Sequence, residues 1–275
     1  MELSIESCAT LNNGVKMPYL GFGTYLLGTG RITQSAILHA LLAGYRHIDT
    51  AKFYRNERDI SIAIKQTEIP REEIFIATKV WNDDQGYDTT LAACEQNLKR
   101  LETEYIDLYL MHWPVTDKRL ETWRAMEKLF DEGKCRAIGV SNFTIKHLEE
   151  LLEKTSIVPT VNQVEFHPFL FQKELLEYCR ENGIQLEGYS PLTKARRLNE
   201  PVLQSIADHY GKTPAQILIR WSLEHLVVTI PKSVNRDRIR ENADVFDFSI
   251  SPEDMTVMNV LNENFRTSWD PTFVV

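Results

Sequence analysis

Eight short apolar runs, rich in β-branched and aromatic residues, recur along the chain with longer stretches of helical periodicity between them. The runs are YLGFGT (19–24), YRHIDT (45–50), IFIATKV (74–80), YIDLYLMH (105–112), CRAIGVS (135–141), PTVNQVE (159–165), IQLEGYS (184–190) and VVTIPKS (227–233). Between them, TTLAACEQNLKRLE (89–102) sets Leu91, Cys94, Leu98 and Leu101 on one stripe, the spacing of an amphipathic helix. TIKHLEELLEK (144–154) and KELLEYCRENG (173–183) repeat the pattern, the second ending in a glycine suited to a helix C-terminus. Two such segments precede the last run, one around 200–210 and one at TPAQILIRWSLEH (213–225). There Thr213 has the character of an N-cap and Pro214 of a first helical residue.

Eight strands, each followed by a helix, predict an α/β fold closed into a parallel (β/α)8 TIM barrel rather than an open sheet. An open dinucleotide-binding sheet usually carries fewer strands and a GxGxxG after the first, and the glycines of GFGTYLLGTG (21–30) lack that spacing. Asn13-Gly14, within ATLNNGVKMP (9–18), predicts a hairpin ahead of the barrel, closing its bottom, with extra helices expected near the C-terminus. No linker or low-complexity tract interrupts the pattern, so a single domain over residues 1–275 is expected. A chain of that length buries a large core.

The net charge of −8 argues against general nucleic-acid affinity, because phosphate backbones demand a basic face. Cys8, Cys94, Cys135 and Cys179 are scattered without metal-ligand spacing, which reads as reduced thiols and no metal site. MELSIESCATLNNG lacks the basic start and apolar core of a secretory leader, and no apolar run reaches a membrane span. A cytoplasmic monomer acting on a small molecule is expected.

Barrels of this kind do their chemistry where strands run out into loops. The second run ends in Asp49 with Tyr54 beyond it, the third ends in Lys79 and the fourth in His112. Taken singly, each has an ordinary use: Asp49 as a helix cap, Lys79 in solvent, His112 on a backbone group, Tyr54 in packing. Three successive strand ends facing one mouth point instead to a shared task. An ammonium beside a phenol favours the phenolate, which predicts a Tyr54 pKa lowered toward neutrality. The carboxylate holds the lysine charged, and the histidine orients a carbonyl or relays a proton. Such an acid needs a nucleophile for the carbonyl carbon; no side chain here suits, whereas hydride from a bound nicotinamide would.

GYRHIDTAKFYRNE (44–57), IFIATKVW (74–81), YIDLYLMHWP (105–114), GVSNF (139–143), NQVEFHP (162–168), YSPL (189–192), and IPKS (230–233) with RIRENADVFDF (238–248) resemble, in order, the motifs of the aldo-keto reductases. The similarity runs to the prokaryotic-type members and to those like the diketogluconate reductases and prostaglandin F synthases. It implies that Asp49, Tyr54, Lys79 and His112 form a catalytic tetrad with Tyr54 as acid and base. It also implies Ser141, Asn142 and Gln163 on the nicotinamide carboxamide, Tyr189 stacked on its ring, and Ser190 and Leu192 along the pyrophosphate. Gly23, Thr24 and Asp49 join the cofactor side. GVSNF by itself could equally cap a helix with Ser141 or Asn142.

PKSVNRDRIREN (231–242) opens a helix after the last strand, with Lys232, Ser233 and Arg238 near its start, where amides and dipole favour anions. As bare composition it is a charged surface helix; after an eighth barrel strand it suits a ribose 2′-phosphate, with Arg238 able to make a bidentate contact. The resemblance adds Val234 and Asn235 beside that phosphate and Glu241 and Asn242 near the adenine, so NADPH/NADP+ is the expected cofactor. Tyr25, Trp81 and Trp113 would wall a substrate pocket with Tyr54 and His112, although the tryptophans could also be core residues. The short tail NFRTSWDPTFVV (264–275) predicts an open, permissive site, with Trp269 available to fold over it.

Two positions depart from the family pattern. Ser61 stands where glycine is usual, which predicts altered helix packing. Lys194, Arg196 and Arg197 replace glycines after YSPL, to clasp the pyrophosphate or to be solvated. The expected function is reversible NADPH-dependent reduction of aldehydes and ketones. A non-catalytic cofactor-binding barrel is the alternative, disfavoured by the intact tetrad. A barrel isomerase would want a glycine-rich phosphate loop, and PKS stands there instead.

Overall fold

In a computed structural model that describes residues 3–274, the chain first turns back at Asn13-Gly14, pairing β1 (Cys8–Thr10) antiparallel with β2 (Lys16–Pro18). Gly14 adopts φ 87°, a conformation open to a residue without Cβ. The turn's side chains reach the N-terminal ends of barrel strands: Asn12 Nδ2 donates to the Pro159 carbonyl at 3.1 Å and Asn13 Nδ2 to that of Arg136 at 3.0 Å. The hairpin therefore sits across the bottom.

The eight runs become β3 (Phe22–Gly23), β4 (His47–Asp49), β5 (Phe75–Val80), β6 (Ile106–Met111), β7 (Cys135–Ser141), β8 (Val161–Glu165), β9 (Gln185–Tyr189) and β10 (Val228–Thr229). Each pairs in parallel with the next. Leu20 bridges Thr229 in parallel, the Thr229 N–H donating to Tyr19 and the Gly21 N–H to Thr229, both at 2.9 Å. The ring is closed.

β3 and β10 are shorter than the runs that contain them, and little room is left around the first of these runs. A Cβ on Gly21 would fall 2.4 Å from His47 Nδ1, and one on Gly23 2.8 Å from the Ile230 carbonyl oxygen. Glycine in the first run is thus a requirement of closure.

Between strands lie α1 (Arg31–Leu42), α2 (Glu57–Ile64), α3 (Tyr87–Leu101), α4 (Arg119–Asp131), α5 (Ile145–Lys154), α6 (Lys173–Glu181), α7 (Pro201–Tyr210) and α8 (Pro214–Glu224). α9 (Arg236–Ala243) and α10 (Pro252–Asn259) follow the last strand. Cys94, Leu98 and Leu101 of α3 are buried as the stripe requires, with Leu91 half-buried. Thr213 and Gln216 form a capping box at α8 with Pro214 in its first turn, an arrangement contributing about 1 kcal/mol. Ser61 on α2 is buried, and its hydroxyl finds no hydrogen-bonding partner among the described residues. Among those residues no helix is long and apolar enough to cross a membrane.

Inside the barrel, His47 and Glu187 are both wholly buried, with Nε2 and Oε1 3.5 Å apart. Burial, then the nearby Lys79 ammonium, pushes the imidazole down to about 3. Burial, then repulsion from Asp49, pushes the Glu187 carboxyl up to about 8. The folded pair thus holds one proton from about pH 3 to about pH 8, whichever atom carries it. Unfolded, the carboxyl titrates at 4.5 and the imidazole at 6.5. Above 6.5 the unfolded chain has released both protons while the fold retains one, so stability falls as pH rises toward 8. Below 4.5 the unfolded chain holds two, so stability falls as pH drops toward 3. Glu187→Gln is expected to flatten the alkaline limb, which one such proton can steepen by at most about 1.4 kcal/mol per pH unit. Thermal midpoints followed by circular dichroism between roughly pH 6 and pH 8 check this; an alkaline slope equal to that of the parent protein would refute it.

Candidate active site

β4 ends at Asp49, and a single 3-10 turn, Lys52–Tyr54, carries the phenol back over that strand end. Lys79 on β5 is wholly buried. Its Nζ donates to Asp49 Oδ2 at 2.6 Å, to the Thr50 carbonyl at 2.8 Å and to Tyr54 Oη at 3.4 Å. Three acceptors for three ammonium protons is what makes a buried cation tolerable. Asp49 Oδ2 also accepts from Gln163 Nε2 at 2.8 Å, and the same nitrogen donates to Glu187 Oε2 at 2.8 Å. Asp49 is therefore an anchor for Lys79, and Lys79 is not solvated.

Tyr54 corrects one expectation. Burial first, then the charges of Asp49, Tyr189, Tyr25 and Glu187, push the phenol well above its ordinary value rather than toward neutrality. Lys79 spends its charge on a carboxylate 2.6 Å away and reaches the phenol only at 3.4 Å, so burial prevails. The hydroxyl stays protonated at neutral pH, as an acid must. His112, which follows β6, is held well below its ordinary value by burial and by Lys79, and so is neutral. Its Nδ1 is buried without a hydrogen-bonding partner among the described residues, and its ring stands edge-on to Tyr54 at 5.8 Å.

Aromatic rings surround this group. Tyr25 tilts against Tyr54 at 5.0 Å, Phe53 stacks on Trp81 at 4.1 Å, and Trp113 faces Trp269 at 5.8 Å. Trp81 and Trp113 are half-buried and line the cavity, whereas Trp123 and Trp221 are the core tryptophans. The cavity, about 950 Å³, runs from these rings past Gly23, Ser141, Asn142, Gln163 and Tyr189 to Lys232, Ser233, Val234 and Arg238.

The amides along it are interlocked. Asn142, in the left-handed region at φ 63°, donates from Nδ2 to the His112 carbonyl at 2.9 Å and accepts the Tyr189 hydroxyl at 2.9 Å. Ser141 Oγ donates to the Gln163 carbonyl at 2.9 Å. Neither caps a helix; Thr144 does, at the start of α5. Because the Gln163 Nε2 protons go to two carboxyl groups, its side-chain oxygen Oε1 is the atom left to accept from a ligand.

At the far end, Asn235 caps α9, its Oδ1 accepting the Asp237 and Arg238 N–H groups at 2.9 and 3.0 Å. Lys232 and Arg238 are exposed and form no ion pair or hydrogen bond through their cationic groups in the described structure. Two unspent cations beside a helix start at one end, and a carboxamide oxygen over a buried ammonium at the other, fit a nicotinamide dinucleotide. Ser190 and Leu192 line the stretch between, with Glu241 and Asn242 on α9.

Thr24, Asn235, Lys194 and Arg197 make contacts of their own within the protein. Thr24 is wholly buried and donates its hydroxyl to the Asp49 carbonyl at 2.9 Å, bracing the strand end. Asn235 spends its side chain on the cap and is not among the cavity's lining residues. Lys194 Nζ donates to the Thr267 carbonyl at 2.6 Å, and Arg197 pairs with Glu263 while lying over the Phe265 ring at 4.4 Å. Those two cations fasten the loop after β9 to the C-terminal segment; Lys194 is exposed and lines the cavity, and Arg196 is exposed. The sequence reading passed over Phe53, Leu26, Leu198 and Arg266, which also line the cavity. Only Phe53 had a signal, as an aromatic immediately before Tyr54.

A sequence model described as the Aldo/keto reductase family matches residues 19–263. Glyoxal reductase of Bacillus subtilis is 52% identical over 271 residues, covering 98% of each chain. A 9,11-endoperoxide prostaglandin H2 reductase of Trypanosoma cruzi is 49% identical, covering 96% of this chain and 95% of its own. Among solved structures, an aldo-keto reductase from a Medee basin deep-sea metagenome library superposes with TM-score 0.94 at 46% identity, covering 97% of this chain and 99% of its own. A Bombyx mori aldo-keto reductase in complex with NADP superposes with TM-score 0.89 at 34% identity, covering 96% and 95%. These relatives support carbonyl reduction with a nicotinamide cofactor and lend nothing to a non-catalytic barrel. With a closed eight-stranded ring, a buried lysine joining carboxylate to phenol, and relatives matched along nearly all of its length, the chain belongs to the aldo/keto reductase family.

Proposed function

We propose that this protein reduces aldehydes and ketones that carry apolar surface, prefers NADPH to NADH, and uses Tyr54 as its proton donor. The observation that carries the reading is the Lys79 ammonium set between the Asp49 carboxylate and the Tyr54 hydroxyl at the foot of the cavity. When bound, the reduced nicotinamide supplies hydride to the carbonyl carbon. Tyr54 Oη gives its proton to the carbonyl oxygen as negative charge gathers there. Neutral His112, beside the phenol, directs that oxygen toward it. Lys79 then faces a phenolate and lowers its energy, while Asp49 and Gln163 keep the ammonium in place. Phe53, Trp81, Tyr25 and Trp113 exclude water from the transfer. Alcohol oxidation runs through the same groups reversed, with the phenolate taking the proton.

Two unspent cations at the start of α9, and the Bombyx mori relative's complex with NADP, support the choice of NADPH. A 2′-phosphate gives Arg238 a charge-assisted partner that NADH lacks. Arg238→Ala is expected to raise KM for NADPH on the order of tenfold and to leave KM for NADH nearly unchanged. Equal kcat/KM for the two cofactors in the parent protein would overturn the preference. Tyr54→Phe should cut kcat by roughly 10²- to 10⁴-fold with cofactor affinity intact. Following NADPH absorbance with methylglyoxal measures the first, and fluorescence titration the second; turnover retained in the variant would remove Tyr54 from the acid's role.

A further inference from the structure

Trp269 is an anomaly at the mouth of the cavity. Its indole faces Trp113 yet remains 66% exposed, so its own burial contributes little to holding it there. Its position must come from the backbone that carries it. That backbone is fastened to one buried carboxylate, Glu165, the last residue of β8 and only 1% exposed. The carboxylate accepts the Thr267 N–H at 2.8 Å, the Thr267 hydroxyl, and the Ser268 N–H at 3.1 Å, with His167 Nε2 at 3.3 Å behind it. Burial pushes the Glu165 carboxyl up, but donors from His167 and Thr267 outweigh it and hold the group below its ordinary value.

Lys194 grips the same residue from the other side, at the Thr267 carbonyl. One peptide segment is thus held by an anion at its N–H groups and a cation at its carbonyl, two residues before the tryptophan. Glu165 does not line the cavity; it acts on substrate only through the loop. A charge-assisted set of this kind outweighs what a largely exposed indole gains by packing.

We propose that Glu165 is the positioning residue for the substrate side of the cavity, fixing the loop 266–269 so that Trp269 and Trp113 together clasp the apolar part of a bulky carbonyl compound. This rests on the reading of the site given above. Small substrates that do not reach the two indoles are indifferent to it.

Glu165→Gln keeps the shape but turns one acceptor oxygen into an amide that faces N–H donors. In the full chain with saturating NADPH, KM for 2-naphthaldehyde is expected to rise roughly tenfold. KM for methylglyoxal, kcat for both substrates and cofactor affinity should stay within about twofold of the parent. Trp269→Ala should give the same pattern, and adding Glu165→Gln to it should change nothing further. Thr267→Val, which leaves the carboxylate and its backbone donors in place, should shift KM for 2-naphthaldehyde in the same direction by a smaller factor, and it serves if the glutamine variant fails to fold. An equal rise in KM for both substrates, no rise for either, or a Glu165 effect that persists without Trp269 would overturn the inference. A parent protein that turns over neither substrate would refute the reading of the site, and this inference with it.

Discussion

A lysine with no exposed surface lies at the centre of the molecule, and much of the surrounding architecture can be understood as the means of keeping it charged. Removing an ammonium from water is costly unless acceptors replace its hydration. Here a carboxylate, a backbone carbonyl and a phenol do so, all within reach of one strand end. They come together because β4 and β5 pair in parallel with Asp49 opposite Ala77. Lys79 lies two residues beyond, on the same face of the strand. Gln163 braces the carboxylate, and Thr24 braces the Asp49 backbone through its carbonyl. Glu187 and His47 extend the polar column downward, holding one proton between them instead of adding a second full charge beside Asp49.

The same constraint explains the chemistry. Asp49 stabilises the lysine and competes with the phenol for its charge, so in the resting arrangement Tyr54 is a weak acid. A negative oxygen forming above it changes the balance, because the phenolate that results has an ammonium at hand. Aromatic rings line this part of the cavity, and charges act more strongly wherever water is excluded.

Most of the architecture was legible from periodicity: eight apolar runs, the helices between them, the Asn-Gly hairpin and the Thr213 cap all fall where the residue pattern put them. That Asp49, Tyr54, Lys79 and His112 come together was legible because residues at strand ends share one face of a barrel. What pattern could not supply were distances. The rise in the Tyr54 pKa depends on a gap of 3.4 Å against one of 2.6 Å, and composition carries neither. Asn235 was expected beside a phosphate from the family resemblance, and the structure shows its side chain capping a helix. Lys194 and Arg197 lie more than sixty residues from Thr267 and Glu263 in sequence, a pairing no local reading reveals. Trp81 and Trp113 could be told from core tryptophans only once burial was known.

The shortness of β3 and β10, two residues each, gives the cylinder a weak seam. It is stitched by a single bridge and a few amide bonds at Tyr19, Gly21 and Gly23. On one side of the seam the chain leads to Tyr25; on the other it leads to Lys232 and Arg238. A dinucleotide lying along the cavity would span the join and act as a suture. The binding energy of such a molecule would then add to the closure of the cylinder.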